Sequence, residues 1–109
     1  MNSMAELYAY ILSVRSITSK IDKISGEKFI NNEEMISSYY AIFKDLIEYL
    51  LKLDDMFTLH SKLNILVKEI YEADRFMMNN YKMINSSMLY DFFKVDYKRL
   101  TNIVEELVK

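Results

Sequence analysis

Residues 56–77, MFTLHSKLNILVKEIYEADRFM, decide the fold. Met56, Leu59, Leu63, Leu66, Ile70, Ala73 and Met77 recur at alternating steps of three and four, the a/d spacing by which helices zip along an apolar seam. On the C-terminal side a polar run holding Asn79, Asn80, Asn85, Ser86 and Ser87 interrupts the pattern, and either serine can N-cap a last helix. That helix has the apolar face Leu89, Phe93, Tyr97, Leu100, Val104 and Leu107, widened by Met88, Phe92 and Ile103. Glu105 and Lys109 add a favourable i,i+4 pair.

On the N-terminal side, Asn31 reads as a cap, with Glu34 as its capping-box partner and Ile30 with Met35 as a hydrophobic staple. The helix it opens buries Met35, Tyr39, Ile42, Phe43, Leu46, Leu50 and Leu53. Ser37, Ser38, Lys44, Asp45, Glu48 and Lys52 take the opposite face. Further upstream Met4, Leu7, Ile11, Val14, Ile17, Ile21 and Ile24 form one more stripe, closed by Gly26 at the position of a C-cap glycine.

The chain has 109 residues, no proline and one glycine, so almost nothing in it breaks a helix. With 51% hydrophobic and 28% charged residues it has the composition of a single folded domain. The expected fold is therefore all-α, an antiparallel up-down-up-down four-helix bundle. Only Asp54 and Asp55 part the second stripe from the third. If they do not turn the chain, the alternative is three helices with one long central helix of about 70 Å, which would have to dimerise.

A net charge of -2, with both signs spread along the chain, lacks the basic face that nucleic acid requires. No apolar run approaches the roughly 18 residues of a membrane span. Zero cysteine excludes disulfides and thiolate ligands and fits a reducing, cytoplasmic setting. The abundance of Ile, Asn, Lys, Tyr, Phe and Met suits AT-rich codons, hence a low-GC bacterium or its phage.

His60 is the sole histidine, which rules out metal sites built on paired histidines and leaves no Ser-His-Asp arrangement. Glu69 with Glu72, and Asp45 with Glu48, are acidic i,i+3 pairs of the kind that nucleotide pyrophosphatases of the MazG type use to hold Mg²⁺. The register of an antiparallel turn sets the two pairs one to two helical turns apart, so ordinary solvated faces are the expectation. No cofactor or metal is expected. The stretch from His60 through Ser61, Lys62, Leu63, Asn64 and Leu66 loosely resembles the phospho-acceptor helix of histidine phosphotransfer domains. That resemblance implies a second function, phosphotransfer through His60, although Ser61 replaces the usual acidic neighbour and the Lys-Gly pair is absent.

Aromatic and methionine crowding is the remaining signal. There are nine tyrosines and eight methionines, and Tyr40, Tyr49, Tyr71 and Tyr90 fall off or at the margin of the stripes. Phe76, Met77, Met78, Tyr81, Met83, Met88, Tyr90, Phe92 and Phe93 gather in eighteen residues. Tyrosine and methionine suit adaptable partner surfaces. The expected partner-binding residues are Met78, Tyr81, Met83, Met88 and Tyr90, on a non-catalytic protein that modulates or inhibits a protein partner. A homodimer, or a self-assembling structural rod, is the other assembly the pattern allows. In size and plan the chain is similar to the class IIa bacteriocin immunity proteins, without their C-terminal tail and without a shared motif.

Overall fold

In the computed structural model residues 3–53 and 60–109 are described, and among them the chain is all-helical, with one isolated antiparallel bridge between Met78 and Ile84. Helix α1 (Ser3–Ser13) buries Met4, Leu7 and Ile11, as its stripe requires. The backbone breaks at Val14 (φ -102°, ψ 5°), then continues as α2 (Arg15–Thr18) and a 3₁₀ segment (Ser19–Lys23). Here the expected stripe slips by one residue. Thr18 is buried, Ile17 is 37% exposed and Ile21 returns to the core. Positions 4, 11 and 18 keep the seven-residue spacing of a helix face, and Ile17 lies one step, about 100°, off it.

Gly26 is not a C-cap. It opens the short helix α3 (Gly26–Ile30), whose N-cap is Ser25, with Oγ accepting from the Lys28 amide at 3.2 Å. No glycine has a positive φ. A Cβ at position 26 would lie 3.4 Å from Cε1 of Tyr90, at ordinary contact distance. The next cap is likewise one residue from its expected place. Asn32, not Asn31, caps α4 (Glu33–Leu51) through Oδ1 and the Met35 amide (3.0 Å), and Asn31 instead donates to the Glu27 carbonyl at the end of α3. With Asn32 as cap, Glu34 and the Ile30–Met35 pair fall out of box and staple register.

Helix α4 buries Tyr39, Ile42, Phe43, Leu46, Ile47 and Leu50, and Leu53 follows them into the core. Asp54, Asp55, Met56 and Leu59, which carry the expected turn and the start of the third stripe, lie outside the described residues. Helix α5 (Ser61–Met77) buries Leu63, Leu66, Val67, Ile70 and Met77. Lys44 of α4 and Asp74 of α5 form an ion pair at 3.0 Å. In one continuous straight helix these residues, 30 positions apart, would be separated by about 45 Å. The long central helix is therefore excluded.

The final rod starts at Asn85, whose Oδ1 accepts from the Met88 amide at 3.2 Å; Ser86 is already the first residue of α6 (Ser86–Asp91). A π-helical turn follows at Phe92–Asp96, closed by the Tyr97 amide donating to the Phe92 carbonyl, and leads into α7 (Tyr97–Val108). The wider turn lets neighbouring Phe92 and Phe93 both face inward, with Leu89, Tyr97, Leu100 and Val104.

Aromatic rings tie these elements at the centre. Tyr39 meets Phe93 edge-on (4.8 Å), Phe43 meets Phe92 (4.8 Å) and Phe29 meets Tyr39 (5.5 Å). The Tyr39 hydroxyl donates to the Ile17 carbonyl, and burial pushes its pKa up to about 12. Helix α1 lies against α7 and α4, α5 lies against α4, α6 and α7, and α3 spans α4 and α6. No helix among the described residues is long and apolar enough to cross a membrane.

Candidate functional site

Between α5 and α6 the chain makes a narrow, hydrogen-bonded turn. The Asn79 amide donates to the Met83 carbonyl (2.9 Å), the Lys82 amide donates to the Asn79 carbonyl (2.9 Å), and Lys82 holds a left-handed φ of 58°. Asn79 also fills the turn from inside. Its Oδ1 accepts from the amides of Tyr81 (2.9 Å) and Met83 (3.0 Å), an Asx arrangement that replaces missing strand partners. At the base the Asn85 amide donates to the Met77 carbonyl (2.6 Å), and Met77 and Ile84 anchor the turn on the core.

This scaffold turns its apolar side chains outward. Tyr81 is 86% exposed, Met83 64% and Met78 41%. Phe76, in the last turn of α5, is 54% exposed, with the Arg75 guanidinium 5.8 Å from its ring centre. Phe76 was not among the expected site residues, although it stands one position off the seam that ends at Met77. All the other tyrosines are buried or half-buried; Tyr40, Tyr49, Tyr71 and Tyr90 pack against the rim of the core.

The five expected partner residues thus divide. Met78, Tyr81 and Met83 share the exposed turn. Met88 is half-buried against the core, and Tyr90 is directed into the fold: its hydroxyl donates to the Ile24 carbonyl at 2.8 Å and its ring lies 5.4 Å from Phe29.

The other candidate groups have structural neighbours. Glu69 pairs with Arg99 and Glu72 with Arg75, each at 3.2 Å, and Asp45 accepts from the Tyr10 hydroxyl at 2.8 Å. Among the described residues no three acidic or histidine side chains converge as a metal site. His60 occupies the N-cap position of α5, makes no side-chain capping bond, and lines a shallow groove with Leu63 and Glu106. No protein-family model, curated protein or solved structure matches the chain.

Proposed function

We propose that the protein is an antiparallel up-down-up-down four-helix bundle that acts without catalysis, by seating the Met78–Met83 turn in an apolar recess of a cytoplasmic protein partner and so modulating or inhibiting it. The bundle reading is supported by paired registers. Tyr10 reaches Asp45 while Tyr39 reaches Ile17, so the first and second rods run in opposite directions. Asp22 meets Lys94 and Lys98, which joins the first rod to the last, and Glu69 meets Arg99, which joins the third to the last.

The single observation that carries the docking role is the exposure of Tyr81 and Met83 on a backbone already tied by Asn79. A preorganised turn loses little entropy on binding, and burying one tyrosine and one methionine contributes roughly 3–6 kcal/mol. Lys82 at the tip favours a recess with an acidic rim.

The test compares the intact chain with Tyr81→Asp and Met83→Asp as baits, then repeats the measurement with the purified partner. The variants should lose that partner by at least tenfold while keeping the helical circular dichroism and melting temperature. Retained binding by both variants removes the turn as the docking element. Light scattering of the intact chain separates a second copy from a foreign partner: a dimer dissociated by Tyr81→Asp would make the partner another molecule of this protein.

A further inference from the structure

Methionine is divided unevenly between core and surface. Met4 and Met77 are 2% and 1% exposed, and Met35 and Met88 are partly buried against the core. Met78 and Met83 are 41% and 64% exposed, and together they bound the turn between α5 and α6. Among the described residues no other methionine is open to solvent to that degree. Met77 and Met78 are sequence neighbours, yet the first closes the buried face of α5 and the second stands outside it.

Exposure decides which thioether meets a dissolved peroxide, because the oxidant must touch sulfur. The sulfur lone pair attacks one oxygen of a hydroperoxide, and an S–O bond forms as the O–O bond breaks. The proton passes to the departing oxygen, which leaves as water or an alcohol. Sulfur is oxidised by two electrons and the peroxide is reduced by two. The product, a sulfoxide, is polar where the thioether was apolar. The backbone of the turn takes no part. The Met83 amide is bonded to Oδ1 of Asn79 at 3.0 Å, and the Met83 carbonyl accepts from the Asn79 amide at 2.9 Å. The added oxygen therefore changes the surface of the turn and leaves its frame in place.

We infer that Met78 and Met83 are a peroxide-responsive modification site, which switches the turn from apolar to polar while the helices stay folded. The regulatory half of this inference rests on the docking role proposed above. A sulfoxide oxygen carried into an apolar recess loses its water without gaining a donor, so oxidation releases the partner. Dithiol-dependent methionine sulfoxide reductases reverse the change: the oxygen leaves as water, two thiols become a disulfide, and the thioether is restored. Met4 and Met77 are shielded by the core, so the switch operates without placing a polar group there.

The test treats the full chain with hydrogen peroxide and follows each methionine by peptide mass spectrometry. Met78 and Met83 should oxidise about tenfold or more faster than Met4 and Met77, with the helical circular dichroism kept. Retention on a hydrophobic-interaction matrix should fall as they oxidise and return after reductase treatment. A chain carrying both Met78→Leu and Met83→Leu should show little of that fall. The modification site is overturned if Met78 and Met83 react no faster than Met4 and Met77, if their oxidation unfolds the helices, or if the double variant loses retention as the intact chain does. With the purified partner, peroxide should weaken binding of the intact chain about tenfold or more, and the double variant, whatever its own affinity, should show no peroxide effect. Binding that survives oxidation of both residues, in a protein whose Tyr81→Asp variant has lost the partner, overturns the regulation. Binding retained by Tyr81→Asp and Met83→Asp removes the docking role and the regulation with it, whereas the modification site stands or falls on the oxidation rates alone.

Discussion

Gly26 and Tyr90, far apart in the chain, are neighbours: the ring lies in contact range of a side chain on residue 26, with 3.4 Å from the would-be Cβ to Cε1, and the Tyr90 hydroxyl closes onto the Ile24 carbonyl. Because Gly26 has a negative φ at the start of α3, a methyl group fits in ordinary contact. Gly26→Ala should stabilise the protein by about 0.4–1 kcal/mol through the unfolded chain's lost freedom. Gly26→Leu, which drives a larger group at the ring, should destabilise it. Urea unfolding of both variants checks the pair, and a loss for Ala would mean that the Tyr90 ring leaves no room even for a methyl group.

The turn that presents Tyr81 stores strain at one residue and relieves it through another. Lys82 is a non-glycine residue in the left-handed region, which costs about 1–2 kcal/mol. Lys82→Gly should therefore raise stability by about 1 kcal/mol. Asn79→Ala, which strands the Tyr81 and Met83 amides, should lower it by about 1–2 kcal/mol and speed amide exchange within the turn.

Two aspartates titrate in opposite directions. The hydrogen bond from Lys98 holds Asp22 below the usual carboxylate range, whereas burial raises Asp96 despite the nearby Arg99. Asp22 thus contributes stability above its unfolded pKa, and that contribution disappears as pH falls through its lower folded value. Asp96 has the reverse sign, and its contribution is lost as pH rises from the unfolded to the folded value. Carboxyl-resolved NMR titration should show this order. Lys98→Gln should move Asp22 back toward an ordinary value and leave Asp96 in place.

Core and surface phenylalanines should differ sharply. Phe43 is fully buried and edge-on to Phe92, so Phe43→Ala should cost about 3–5 kcal/mol in chemical denaturation. Phe76, half exposed at the end of α5, should lose no more than about 0.5 kcal/mol on the same change.

Much of this architecture is legible in residue spacing alone. Leu46 and Leu50, Leu63 with Leu66 and Ile70, and Leu100 with Val104 occupy the buried positions that periodicity assigns them, because burial is what selects that period. Boundaries are less legible. Asn31 next to Asn32, and Asn85 next to Ser86 and Ser87, offer several competent caps in a row, and packing chooses among them. Long-range causes leave no local trace: the hydrogen bond to the Ile24 carbonyl and the contact with the Phe29 ring withdraw Tyr90 from the surface. The exposed part of the candidate site follows from polar punctuation around Met78, Tyr81 and Met83. Phe76 is recognisable only once the phase at Met77 is settled.

The π turn at Phe92–Asp96 implies that the last rod holds one amino acid more than its span requires. Such a bulge absorbs a single insertion without rotating what comes after it, so excising the solvent-facing Val95 would let the ladder close as plain α-helix. Leu100 and Val104 would then keep their bearing on the interior, and the C-terminal third of the molecule would tolerate that shortening.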